Sequence, residues 1–155
     1  MAEEEEDKIS SLPDTILCHI LSFLETKQSI ATSVLSKKWK NLWLSVPSLY
    51  FKTTVKGITE NFQFNDNVYT VLLSRDAAVK SFRLKLIYDY PQIRYLNGPI
   101  NSITKWVNFV VQGGVECLDL RLRITGWVEE HYVPILPITV LTCRTLVVLK
   151  LFSYG

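Results

Sequence analysis

Histidine and cysteine are scarce in this chain, and their scarcity removes most catalytic and metal-based chemistry. There are two histidines, His19 and His131, in 155 residues. Neither has motif context, so no nucleophile–base–orienter set can be assembled around them. His19 sits beside Cys18 on the less apolar side of an amphipathic stretch and reads as a surface residue, not a ligand. The three cysteines, Cys18, Cys117 and Cys143, cannot all pair within the chain, and their separations match no zinc spacing. No metal and no cofactor is expected. A surplus of one charge is also missing: 17 basic against 15 acidic side chains leave a formal net charge of +2. With no Arg-rich block, that is too weak for nucleic acid or an anionic membrane surface. No uninterrupted apolar run approaches the ~20 residues of a membrane span. The acidic N-terminus has no positive region followed by an apolar one, as a secretory leader would. The chain therefore reads as cytoplasmic or nuclear, with reduced thiols. Gly113-Gly114 lacks the rest of a phosphate loop, and Glu129-Glu130 is ordinary loop content near Pro134 and Pro137.

What is present is material for a core. Hydrophobic residues make up 48% and charged residues 21%, in a length that suits one domain or a small module fused to a larger one. The exception is the start, where Glu3 to Asp7 form an acidic block. Like charges repel and stay solvated, so residues 1–7 are expected to be a frayed tail.

The stretch from Ile9 to Leu24 has the marks of a helix start. Ser11 can cap free amides, Pro13 pre-sets φ where no donor is needed, and Asp14 suits the positive end of the dipole. The apolar positions Ile16, Leu17, Ile20, Leu21, Phe23 and Leu24 cover an arc of roughly 160°. So wide a stripe is either all core, or core on one side and a partner's surface on the other. A second short helix is suggested by Ile30, Val34 and Leu35, with Thr26 as its cap. A third, Ser36 to Leu44, aligns Trp39, Leu42, Trp43 and Val46, sets Lys37, Lys38 and Lys40 on the solvated side, and ends before Pro47. Three short helices are near the lower limit for a self-sufficient core, which favours a partner that covers the remaining apolar surface.

The run Leu12-Pro13-Asp14-x-Ile16-Leu17-x-x-Ile20-Leu21-Ser22-Phe23-Leu24, followed by Val34-Leu35-Ser36-Lys37-Lys38-Trp39-Lys40-x-Leu42-Trp43, resembles an F-box. With Val46-Pro47-x-Leu49 after it, the pattern is similar to the plant F-box/leucine-rich-repeat family. Glu25 departs from it, since many relatives carry proline there. The resemblance implies a non-catalytic module that docks the Skp adaptor subunit of a cullin-RING ubiquitin ligase through an apolar face. Carried onto this sequence, the docking residues would be drawn from Leu12, Pro13, Ile16, Leu17, Ile20, Leu21, Leu24, Val34, Leu35, Trp39, Leu42 and Trp43, some of which must instead be internal core.

Beyond Phe51 the pattern changes. A template of apolar-x-x-apolar-x-Leu occurs at Val79–Leu84, Val115–Leu120 and Leu146–Leu151. Each occurrence continues the period-2 alternation of a half-buried strand. In Leu118-Asp-Leu-Arg-Leu-Arg-Ile124 the charged partners Asp119, Arg121 and Arg123 would face away from the core. Ile100 to Gln112 fits an amphipathic helix stopped by Gly113-Gly114, and another helix is expected around Asn67 to Leu73. Strand, helix, strand implies parallel neighbours joined by a right-handed crossover.

The expected fold class is α+β: a three-helix F-box module over 8–54, then a short, irregular leucine-rich-repeat-like α/β solenoid segment over 55–155. An ordinary α/β domain is the alternative. No capping element follows the third strand signal, so that region is expected to be incomplete, and an exposed last strand would make the isolated chain aggregate. By the same resemblance, the chain would be a substrate receptor of an SCF-type ubiquitin ligase, with the repeat region holding an unknown protein target. Two other readings stand beside it. One is a truncated F-box protein that binds the adaptor without delivering a target, and the other is a small enzyme, which would need a reactive pair that the sequence does not offer.

Overall fold

The computed structural model describes residues 8–75, 77–89, 97–125 and 136–154, without the side chains of 97–101 and 154. The acidic tail over 1–7, His131 and Glu129-Glu130 lie outside the described residues.

The N-terminal helices are short. α1 spans Asp14–Leu21 and α2 spans Thr26–Ala31. Two 3-10 turns, Thr32–Val34 and Trp39–Asn41, lead into α3, Leu42–Ser45. The continuous third helix expected from Ser36 is thus broken into a tight turn and a single helical turn. Trp39, Leu42 and Val46 still point inward, because the two short pieces bring them to the same side that one helix would have done. Capping also differs from expectation. The Ser11 hydroxyl donates to the Lys8 carbonyl, 2.7 Å, since α1 begins only after Pro13. Thr26 does not cap α2 either. Its Oγ1 turns inward to accept from the Tyr50 amide, 2.8 Å, and the N-cap is Glu25, whose own amide is held by the Gln28 side chain at 3.1 Å.

After Pro47 the chain enters a parallel sheet of four strands in the order β1-β2-β3-β4: β1 Ser48–Val55, β2 Ser81–Tyr88, β3 Cys117–Ile124 and β4 Val148–Tyr154. β1 has no counterpart among the strands expected from the sequence, and it straddles the boundary drawn at residue 54. The other three fall on the repeated template. α4, Ile58–Leu73, is more than twice as long as the helix expected there, and α5, Asn97–Gln112, covers the expected Ile100–Gln112 and begins three residues earlier. α6 is one turn, Thr139–Thr142. Gly114 has φ +83, a conformation that glycine enters without a Cβ penalty. The Gly114 amide donates to Val111 and the Val115 amide to Val110, both at 3.1 Å, the paired bonds of a Schellman stop.

Each of the three strand pairs begins in the same way. The carbonyl of the residue before β1, Pro47, accepts from the Lys80 and Ser81 amides. Lys80 does the same for Glu116 and Cys117, and Glu116 for Val147 and Val148. In-register neighbours Ser48, Ser81, Cys117 and Val148 are 33, 36 and 31 residues apart.

α4 and α5 pack on one face of this sheet. Leu49, Phe51 and Val55 from β1 meet Phe82, Leu84 and Leu86 from β2 and Leu118 and Leu120 from β3, under Val68, Val71, Ile103, Trp106 and Val110. Trp106 is fully buried, edge-on to Phe64 at 5.8 Å and to Tyr69 at 5.9 Å. A second, smaller core of Leu17, Leu21, Trp39, Leu42 and Val46 holds the N-terminal helices together.

Candidate protein-docking site

The apolar arc of α1 is divided between two sides. Leu17 and Leu21 are fully buried in the small core, and Leu24 packs against it. Ile16 and Ile20 are 47% and 43% exposed, and Phe23, in the turn that follows, is 72% exposed. The spacing of four and then three places Ile16, Ile20 and Phe23 on one outward face. Phe23 is further fixed by an edge-on contact with the His19 ring, centroids 5.0 Å apart.

The twelve residues proposed for docking thus separate. Leu17, Leu21, Trp39 and Leu42 are the module's own core, and their apolar surface is already covered. Leu12 and Leu24 are half-buried against that core, and Trp43 is half-buried against the sheet's core. Pro13, Ile16, Ile20, Val34 and Leu35 face solvent, Val34 at 85% and Leu35 at 65% exposure. Five large apolar side chains (Ile16, Ile20, Phe23, Val34 and Leu35) are therefore presented by one small module. Phe23 was absent from the sequence-based set, although its place in the arc after Ile16 and Ile20 was the signal that could have included it.

The inner side is held by polar contacts as well as packing. Trp39 Nε1 donates to Ser10 Oγ, 2.8 Å. Lys38, expected on a solvated face, folds back so that its Nζ donates to the carbonyls of Ser10, 2.7 Å, and Leu12, 2.6 Å, beside Asp14 at 3.6 Å. These bonds pin the segment before α1 onto the third helical piece and so fix the outward face. The Cys18 thiol donates weakly to the Leu42 carbonyl at 3.7 Å. Burial pushes its pKa up, and the Asp14 carboxylate adds to that.

The module is joined to the sheet by Arg75, on the connection after α4. Its Nη1 donates to the Trp43 carbonyl, 2.9 Å, and its Nη2 to the Val46 carbonyl, satisfying the C-terminus of α3. Burial lowers the guanidinium pKa, with Cys18 acting in the opposite direction. Among the described residues, no group of three or more His, Cys, Asp or Glu side chains could hold a metal ion. None of the described helices is long and apolar enough to cross a membrane.

The F-box domain family matches residues 9–51. The chain is similar to an F-box/LRR-repeat protein of Arabidopsis thaliana, 41% identical over 151 residues, which are 94% of this chain and 36% of that protein. A second Arabidopsis F-box/LRR-repeat protein is 39% identical across 96% of this chain and 30% of its own length. F-box/LRR-repeat protein 13 of the same plant is 37% identical across 96% and 31%. The chain thus spans about a third of the length of the curated relatives it matches. No solved structure matches it.

Proposed function

Starting from a chain that carries an F-box and is related to the plant F-box/LRR-repeat proteins, we propose that it is a substrate-receptor subunit of an SCF-type ubiquitin ligase. In this reading, Ile16, Ile20, Phe23, Val34 and Leu35 dock the Skp adaptor, with Pro13, Leu12, Leu24 and Trp43 at the rim. The observation that carries it is the outward apolar face of α1, set apart from an inner face that already has its own core. Large apolar anchors at the centre of an interface supply most of its binding energy, and an exposed cluster of them on a small module marks an interaction site.

The remaining part would be an irregular leucine-rich-repeat-like array that presents a protein target. The recurring strand entry at Pro47, Lys80 and Glu116 supports that reading, as does the sequential order of four parallel strands. The chain itself would perform no chemistry. Holding target and ligase together raises their effective concentration, which turns modification into an intramolecular event.

The test is co-expression with a plant Skp adaptor followed by size exclusion. Wild type and Leu141→Asp, a change at an 83% exposed apolar residue on α6, should both elute as 1:1 complexes. Ile20→Asp should lose the complex while keeping its far-UV circular dichroism, because it would bury a carboxylate without a partner. Folded wild type that forms no complex would end the ligase assignment. Ubiquitination that needs the added target would separate a receptor from a protein that binds the adaptor alone.

A further inference from the structure

The sheet face turned away from α4 and α5 carries no covering helix among the described residues, whereas all-parallel sheets normally have both faces covered. Its side chains are mostly cationic. Strand register sets Lys52, Lys85 and Arg121 in one row, with Phe152 at the end. The row before it reads Tyr50, Arg83, Asp119 and Lys150. Neighbouring strands are about 4.8 Å apart, so three like charges stand side by side, an arrangement that opposes folding.

The two outer cations of that row are compensated. Lys52 Nζ lies 3.6 Å from a Glu25 carboxylate oxygen. Arg121 donates to both oxygens of the buried Asp119, at 3.0 and 3.1 Å, and stacks 5.1 Å over Phe152. Lys85 stands between them. No carboxylate lies within ion-pair distance of Lys85, Arg83 or Lys150 among the described residues. Lys85 also lines two depressions on this face: one of about 290 Å³ with Lys52 and Thr54, and one of about 320 Å³ with Arg83, Asp119 and Lys150. Arg83 is held against the Tyr50 ring, 5.2 Å from its centroid, which keeps its guanidinium at the face.

We propose that this face binds an acidic peptide segment of a protein partner, with a carboxylate seated over Lys85 and its neighbours in reach of Arg83 and Lys150. The row of like charges then has a purpose, because the incoming carboxylate removes the repulsion that the free chain carries. Nucleic acid is the poorer match. Three strand spacings, about 14 Å, cover few phosphates, Asp119 stands in the middle, and the whole chain has a net charge of +2. The inference rests on the target-presenting reading and gives that target its chemistry.

The probe is a fluorescein-labelled decapeptide of alternating Glu and Ser, titrated at low salt with the full chain and followed by anisotropy. Binding should be saturable, weaken as salt rises and fall at least tenfold in a double variant, Lys85→Glu with Arg83→Glu. A Lys-Ser decapeptide should not bind, and a ten-nucleotide oligothymidylate should not compete. Lys85→Glu alone should raise the melting temperature by relieving the row, so its loss of binding would not reflect misfolding. The proposal is overturned by absent saturable binding, by equal binding to the double variant, or by tighter binding of oligothymidylate. Adaptor association of the same variants should be unchanged. A folded wild type that does not bind the adaptor would sink the ligase reading without touching the peptide result, and the reverse also holds.

Discussion

Arg75 lies outside the F-box match, yet it closes the end of α3 by donating to the Trp43 and Val46 carbonyls. Removing it leaves the Val46 carbonyl at a buried helix end without a donor, and the Trp43 carbonyl with only the Val46 amide, 3.3 Å. Arg75→Met should therefore destabilise the chain by about 1.5–3 kcal/mol, the range for hydrogen bonds to a charged group, as read by urea denaturation. An unchanged midpoint would show that solvent replaces the guanidinium there. The cysteines supply a second residue-scale outcome. The side-chain hydrogen bond with Thr145 lowers the Cys143 pKa, whereas burial raises that of Cys18. Thiolate is the reactive form, so near pH 8 iodoacetamide should modify Cys143 several-fold faster than Cys18, with the ratio narrowing as pH rises. Mass-spectrometric time courses that show equal rates would refute it. Arg75 does not stand out in the sequence, since the carbonyls it closes lie about thirty residues away, whereas Thr145 acts on a thiol only two residues away.

At the scale of elements, legibility followed locality. The arc of α1, the α5 periodicity and the Gly113-Gly114 stop are all written within one or two turns of chain, and each appears in the structure where the pattern put it. The division of the α1 arc was not readable, because it depends on where Trp39 and Leu42 come to lie. β1 is hard to see in the sequence although Leu49, Phe51, Thr53 and Val55 alternate, because its partner Ser81–Tyr88 is 33 residues further on and Pro47 marks the end of a helix as readily as the start of a strand. Thr26 misled for a similar reason: a cap residue by type, it is claimed by Tyr50 across the junction. The Schellman stop gives a prediction at this scale. At Gly114 an added Cβ would meet nothing closer than Thr145 Cγ2 at 3.8 Å, so Gly114→Ala is opposed by the backbone alone. A cost of about 1–2 kcal/mol follows from the left-handed conformation, measurable as a lower urea midpoint. A neutral effect would mean that the turn adopts another geometry.

At the scale of the whole molecule, the helical module and the sheet share bonds that neither could make alone. Thr26 holds the Tyr50 amide of β1, Arg75 holds the end of α3, and Ile30 and Trp43 pack on the sheet's core rather than on the module's own. The module's private core has five buried side chains, few for forty residues, and domains that small need help to fold. The consequence is a single folding unit. In dilute solution, urea unfolding followed by tryptophan fluorescence and by far-UV circular dichroism should give coincident transitions, although Trp39 and Trp106 report on different cores. A peptide of residues 8–47 should be unfolded by itself. Arg75→Met is the discriminating variant: it should pull the two transitions apart, with the helical module melting first. Separate transitions already present in wild type would mean that the module is held to the sheet only loosely. Docking a rigid adaptor at one end would then do little to fix the cationic sheet face at the other.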